Sequence, residues 1–280
     1  MGSNPKVPAY FDYLIDAFER GAAGRFVHLG FWEDPRKSKT GQETAADFEA
    51  AQARLDERLI SMAGIASGQS VLDAGCGFGG TIAGLNQRFR DQWLAGVNID
   101  PRQLAICRQV VPANGNRIEW QEADACRLPF ASGSFDRVLC IEAMFHFGSR
   151  RKFFAEAARV LKPGGRLVGS DITPAESAFA IRAPGFSIEA PLRDGYGPWP
   201  DFWGEDADHA KLAKAAGLSR GRLEDVTANT LPSHRFTAPR DADERRDTGN
   251  LALRAALMLR WLHRKGHIRY TLFRFEKPAA

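Results

Sequence analysis

Apolar positions along the chain change their period several times, and each change marks a predicted element. Between Tyr10 and Arg20, Phe11, Leu14, Ile15 and Phe18 recur at helical spacing, which predicts a helix burying one face. The same spacing returns from Ala46 to Ile65 in Phe48, Ala51, Leu55, Leu59 and Met62. Short apolar runs then alternate with helical patterns. Val71 and Leu72 end a first buried strand, and Leu94 to Ile99, Ile118 to Gln121, Arg137 to Ile141 and Arg166 to Ser170 supply further strands. Helices are predicted over Arg102 to Val111 and over Phe153 to Leu161, the second closed by Lys162-Pro163-Gly164-Gly165. Alternation of this kind predicts an α/β fold, a doubly wound parallel sheet with helices on both faces.

The stretch from Ala175 to Trp203 breaks the alternation. It is interrupted by Pro and Gly yet holds Phe179, Tyr196, Trp199 and Trp203, too many aromatics for a simple connection, and a lid over an apolar or aromatic substrate is expected there, with a folded-back packing excursion as the alternative. A helix from Glu205 to Ala216, closed by Gly217, and a sixth strand from Leu223 to Ala228 follow. Leu251 to Lys265 places Leu253, Leu257 and Trp261 in one helical row, and His267 to Glu276 alternates polar and apolar as a half-exposed strand does. The chain thus divides into N-terminal helices with a flap (1–66), a cofactor-binding core (67–174), a lid (175–204) and a returning part of the core (205–280).

Composition narrows this picture in three ways. A chain of 280 residues with 44% hydrophobic content can bury the core of one large domain with a lid. Its 38 basic and 34 acidic residues are interspersed, so a net charge of +4 reads as a mixed solvated surface and no nucleic-acid partner is expected. No apolar targeting segment and no window near the roughly 18 to 20 apolar residues of a membrane helix are present, so a cytoplasmic location without membrane insertion is expected. Cys76, Cys107, Cys126 and Cys140 lack C-x-x-C spacing and read as reduced core thiols. Carboxylates and histidines do not fall at metal-ligand spacings, and no metal is expected. Oligomeric state is left open.

The candidate chemistry centres on Ser70 to Gly80, SVLDAGCGFGG. Gly75, Gly77, Gly79 and Gly80 follow a buried strand and precede a helix, a loop that lets a ligand press on backbone N–H groups. Gly75, Gly77 and Gly80 also satisfy the dinucleotide pattern G-x-G-x-x-G, so NAD is an alternative cofactor. Asp73 argues against it, since a carboxylate there repels a pyrophosphate but receives an ammonium, directly or through water. Asn98, in place of the acidic residue that takes ribose hydroxyls in dinucleotide sites, argues the same way.

The D-x-G-x-G-x-G arrangement resembles the first motif of class I S-adenosylmethionine-dependent methyltransferases. HLGFWED (28–34) and the E-x-x-x-H of Glu142 and His146 resemble segments of tocopherol, sterol and natural-product sugar methyltransferases. DACRLPFASGSFDRV (124–138) and ARVLKPGG (158–165) resemble the small-molecule methyltransferases generally. GVNIDPRQ (96–103) resembles a variant of the tocopherol and cyclopropane-forming group. The resemblance implies a seven-stranded sheet whose last strand inserts antiparallel between the fifth and sixth, with S-adenosylmethionine as cofactor. It implies Asn98 and Gln103 on the ribose, beside Ile99, with Asp124 and the Ala125 N–H on the adenine, and Gly75, Gly77 and Ile141 lining the site.

A small, largely apolar or glycosylated acceptor is expected, methylated at a hydroxyl with His146 as general base. Asp171 either joins His146 or caps the turn at Thr173-Pro174. Phe31 and Trp32 either fill the core or form a flap, and the resemblance favours the flap. Glu142, Trp199, Trp203 and His234 complete the expected acceptor site. The rival within the class is C-methylation of an isoprenoid alkene or aromatic ring, served by Glu142 or His146. Outside it stand an NAD-binding oxidoreductase and a non-catalytic cofactor-binding protein.

Overall fold

A computed structural model describes residues 7–8, 10–36, 42–181, 188–200, 207–238 and 250–279. In chain order it runs α1 (Tyr10–Glu19), α2 (Ala45–Ala63), β1 (Ser70–Ala74), α3 (Gly80–Arg88), β2 (Trp93–Asn98), α4 (Pro101–Cys107), β3 (Arg117–Glu122) and β4 (Phe135–Ile141). A 3-10 turn at Met144–His146 leads to α5 (Arg150–Val160) and β5 (Leu161–Pro174). Then come α6 (Glu176–Phe179), α7 (Glu189–Tyr196), α8 (His209–Ala215), β6 (Ser219–Asp225), α9 (Thr227–Thr230), α10 (His234–Thr237), α11 (Leu251–Arg264) and β7 (Ile268–Glu276).

The seven strands form one sheet in the order β3-β2-β1-β4-β5-β7-β6. β1 pairs in parallel with β2 and β4, Leu72 opposite Ala95 and Val138, while β7 runs antiparallel between β5 and β6, with Phe273 opposite Gly169 and Leu223. Strand order reverses between β1 and β4, where a doubly wound sheet opens a crevice at the strands' carboxyl ends. β1 is buried throughout, as expected of a strand covered on both faces. Leu55 and Leu59 of α2 join Ile82 and Leu85 of α3 in one cluster, and Phe153, Phe154 and Ala157 of α5 build a second. Each of these Leu, Ile and Phe side chains, fully buried, contributes about 1.5–3 kcal/mol.

Local signals set the boundaries. Thr44 and Asp47 form a reciprocal capping box on α2, and Gly64 ends that helix in the left-handed region. Asp100 caps α4 with Pro101 behind it, and Ser149 caps α5, starting that helix three residues before the predicted position. The sixth strand lies at Ser219–Asp225, earlier than predicted, because the chain extends directly after the turn at Gly217, and Thr227–Thr230 is helical. Among the described residues, the stretch expected as a lid holds the helices α6 and α7. α7 lies close on α11: a Cβ on Gly195 would sit 2.3 Å from the Cβ of Ala255 and 2.7 Å from the Leu251 carbonyl oxygen.

Candidate active site

At the switch point the structure opens a cavity of about 710 Å³. Its inner wall is the glycine loop. Gly75 (φ 81°) and Gly77 (φ 51°) adopt left-handed conformations, and a Cβ would meet the Cβ of Ala143 at 2.5 Å or Cγ2 of Val27 at 2.5 Å. Asn98, Ile99, Gln103, Asp124, Ala125 and Ile141, all within a few residues of strand ends, line the same cavity.

Three features fit an amino-acid-bearing nucleoside. Gln103 is buried, and its Nε2 has no hydrogen-bond partner among the described residues, leaving a donor for a ribose hydroxyl. Asp124 accepts from the Cys126 N–H through Oδ1, with the Cys126 thiol also against its carboxylate, and the carboxylate's remaining lone pairs can accept from an exocyclic amine. Asp73 has no hydrogen-bond partner among the described residues, and burial, with Asp56 nearby, pushes its carboxyl up to about 8. Asp73 is not itself in the cavity wall, standing two residues before Gly75, which suits contact through water better than direct contact.

Asn98 holds its neighbours instead of offering its own groups. Its Nδ2 donates to Gln103 Oε1 at 2.9 Å and to the Gly77 carbonyl at 3.2 Å, and its Oδ1 accepts from the Asp100 N–H at 3.0 Å. The free amide of the pair is therefore that of Gln103.

The other end of the cavity is walled by Tyr10, Phe11 and Leu14 of α1, by Arg193 of α7, and by Gly197, Pro198 and Leu251. Glu142 and His146 face this end. The Nδ1 of His146 lies 2.5 Å from the Tyr196 carbonyl oxygen, and a carbonyl only accepts, so the ring proton sits on Nδ1 and Nε2 carries the lone pair. Tyr10 stacks on the ring at 5.5 Å and Phe11 meets it edge-on at 5.3 Å. Burial lowers the imidazole to about 4, so it is neutral at physiological pH.

Glu142 sits at φ 49°, unusual for a residue with a long side chain. Its Oε2 accepts from the Tyr270 hydroxyl at 2.7 Å and from the Leu29 N–H at 2.8 Å. Burial pushes the carboxyl up to about 7. Oε1 has no hydrogen-bond partner among the described residues.

Several expected site residues serve other purposes. Asp171 does not meet His146; it is buried against Arg150 at 2.7 Å and His209 at 3.0 Å, because an isolated carboxylate could not be accommodated there. Phe31 lies under Arg58, 4.3 Å from guanidinium to ring centre, and Trp32 is buried with its indole donating to Ser233 and its ring stacked on Phe236. The HLG segment folds into the core and is linked to the site through Leu29 N–H to Glu142. Trp199 stacks on Phe145 at 4.4 Å and is outside the cavity wall. His234 is buried with its Nε2 2.8 Å from His263 Nδ1, away from the cavity. Trp203 lies outside the described residues.

Residues missed in the sequence are Tyr10, Leu14, Arg193 and Tyr270. The apolar stripe of α1 was a signal that something had to be covered, but nothing in its spacing said what.

A seven-stranded sheet with this order, a glycine loop at its switch point and an unpartnered acid two residues before that loop defines the class I S-adenosylmethionine-binding fold. Residues 72–169 match the family model described as a methyltransferase domain. The chain is 34% identical over 214 residues to Methyltransferase GfsG of Streptomyces halstedii, covering 74% of this chain and 70% of that protein. It is 30% identical over 229 residues to the erythromycin 3''-O-methyltransferase of Saccharopolyspora erythraea, 79% of this chain and 71% of that one. The geranyl diphosphate C-methyltransferase of Streptomyces coelicolor A3(2) has the same fold, with TM-score 0.70 at 18% identity over 96% of this chain and 98% of that one.

The chain belongs to the S-adenosylmethionine-dependent methyltransferases, in the group similar to the tocopherol and natural-product O-methyltransferases. The NAD alternative falls with that assignment. No helix among the described residues is long and apolar enough to cross a membrane.

Proposed function

We propose that this enzyme methylates a hydroxyl oxygen of a small, largely apolar or glycosylated natural-product-like acceptor, with His146 as the proton acceptor. The observation that carries this reading is the imidazole fixed with its lone pair on Nε2 at the acceptor end of the cavity. When bound, S-adenosylmethionine supplies an activated sulfonium methyl group. Gln103 would hold the ribose, Asp124 and the Ala125 N–H the adenine, and Asp73 the amino group.

The protein's own part is positioning and proton removal. α1 and α7 exclude water around the acceptor, which strengthens the interactions inside the cavity. As the oxygen–methyl bond forms and the sulfur–methyl bond breaks, the hydroxyl proton passes to His146 Nε2 and the Tyr196 carbonyl holds the resulting imidazolium. Similarity to the erythromycin enzyme, whose name places the methyl on oxygen, supports this reading.

C-methylation of an isoprenoid alkene or aromatic ring is the second reading. The Glu142 carboxyl, near 7 and with Oε1 open, is the group suited to removing a proton from carbon. A panel of hydroxylated polyketides and glycosides set against isoprenoids separates the two. His146→Ala is expected to lower kcat on a hydroxylated acceptor about 10²–10⁴-fold with unchanged adenosylhomocysteine affinity. Methylation of isoprenoids alone, lost in Glu142→Gln and retained in His146→Ala, would reverse the assignment.

A further inference from the structure

Among the described residues no carboxylate orients the imidazole at the acceptor end, and Asp171 is engaged by Arg150 and His209. A backbone carbonyl does the work instead. Tyr196 is the last residue of α7, and its carbonyl lies in the peptide plane fixed jointly by its own ψ and by the φ of the next residue, Gly197. Gly197 sits at φ 97°, ψ −155°, a region essentially closed to other residues, and a Cβ there would lie 3.1 Å from Cγ of Pro8.

The turn that follows is tied down twice more. The Trp199 N–H donates to the Phe145 carbonyl at 2.9 Å, and the indole stacks on Phe145, with Trp199 itself held at φ 40°. Arg150 Nη1 donates to the Pro200 carbonyl at 2.6 Å while its Nε and Nη2 fork the Asp171 carboxylate at 2.7 and 3.2 Å. Backbone strain of this kind persists only where the surroundings over-determine it.

We propose that the turn from Tyr196 to Pro200 positions the proton acceptor: Gly197 aims the carbonyl that keeps the His146 proton on Nδ1, and Arg150, fixed by Asp171, anchors the turn. The inference rests on His146 as the proton acceptor. Without that carbonyl a neutral imidazole is free to carry its proton on Nε2, and a protonated Nε2 cannot take one from the acceptor. Asp171 then affects His146 at second hand, through Arg150 and the turn. Gly197 and Arg150 are positioning residues, because neither needs to touch the acceptor.

The test uses the full chain with ¹⁵N-labelled histidine, saturated with adenosylhomocysteine. The His146 signals are identified by their loss in His146→Asn. Wild type is expected to show a neutral ring protonated on Nδ1. Gly197→Ala is expected to move the tautomer ratio toward Nε2 by roughly tenfold, the equivalent of one lost hydrogen bond. Gly217→Ala, an equally left-handed glycine with nothing within 4 Å of an added Cβ, is expected to leave the ratio unchanged.

Should Gly197→Ala not fold, Arg150→Lys keeps a charge beside Asp171, loses the bond to Pro200 and is expected to move the ratio in the same direction. A ring that stays protonated on Nδ1 in Gly197→Ala, or in Arg150→Lys where that stands in, would overturn the proposal. Unchanged transfer and pH profile in His146→Asn, alongside a tautomer shift in Gly197→Ala, would defeat the proton-acceptor reading while leaving the structural effect of the turn in place.

Discussion

Asp73 and Gln103 each bring to the cofactor end a polar group that the protein leaves unanswered. A buried carboxyl without a donor keeps its proton, and Asp73, held at about 8, is mostly neutral at pH 7. Meeting an ammonium ion ionises it, so cofactor binding at pH 7 should release a proton, and at pH 9, where Asp73 is already ionised, it should not. Calorimetry of adenosylhomocysteine binding in buffers of different ionisation enthalpy measures this directly. Asp73→Asn is expected to abolish the release and to weaken binding about 10- to 100-fold, the loss of one charge-assisted hydrogen bond. Binding without proton release in the wild type at pH 7 would contradict the role given to Asp73.

Trp32 makes the opposite case at the same scale. It is 5% exposed and bonded to Ser233, so Trp32→Ala should cost about 3–5 kcal/mol of stability. Adenosylhomocysteine affinity should be unchanged at a temperature where the variant is folded. A selective loss of ligand binding in the stable variant would restore Trp32 to the site.

Elements explain why some of the site was legible and some was not. The parallel sheet could be read from alternating periods, and in such a sheet the residues just past each strand must face the crevice. Gly75, Gly77, Asp124, Ile141 and Glu142 are therefore locatable from strand ends, Asn98 and His146 with the family resemblance added, and all line the cavity. Asp171, expected just past the fifth strand, lies instead inside β5 opposite Thr271, because that strand runs on to Pro174, and it is 0% exposed against Arg150, 21 residues earlier at the start of a capped helix. Nothing in local spacing announces that partner. Phe31, Trp32 and His234 failed for a related reason: an aromatic or imidazole in a loop finds its partner through tertiary contacts, here Arg58, Ser233 and His263.

The packing of α7 on α11 shows what lay beyond periodicity. Gly195 and Ala255 are unremarkable in sequence, but they let α7 approach α11 closely enough to close the acceptor wall. Gly195→Ala should push the helices apart, costing about 1–3 kcal/mol and raising the acceptor KM while adenosylhomocysteine binding stays intact. Equal losses for acceptor and cofactor would show that α7 supports the whole cavity rather than one wall.

Across the whole molecule, burial of titratable groups sets an unusual dependence of stability on pH. Asp56, Glu142 and Asp73 are raised to about 6, 7 and 8, chiefly by burial, so the folded state holds protons that the unfolded chain gives up above the ordinary carboxyl range. Their contribution is complete at low pH and is lost as pH rises through the folded values. His28 and His146 are lowered to about 4, and His234 and His263 are also lowered, again chiefly by burial. Their contribution is complete above about 6.5 and is lost as pH falls.

Below 6.5 the two sets oppose one another, and from 6.5 to about 8.5 the carboxyls act without the histidines. The cofactor-free protein should therefore lose stability from pH 6.5 to 8.5, on the order of 1.4 kcal/mol per pH unit for each group still protonated in the folded state, and fall further beyond, where the unfolded chain's thiols ionise while hydrogen bonding to Cys107 and burial keep Cys76 protonated and burial keeps Cys126 and Cys140 so. Thermal melts at pH 6.5, 7.5, 8.5 and 9.5 test this. The Asp73→Asn, Glu142→Gln double variant should flatten the curve from pH 6.5 to 8.5, because neither amide ionises. A melting temperature that climbs between pH 6.5 and 8.5 in the wild type would mean that these carboxyls are already ionised in the folded protein. The proton release expected on cofactor binding would then be absent as well, so the two measurements stand or fall on the same buried charge.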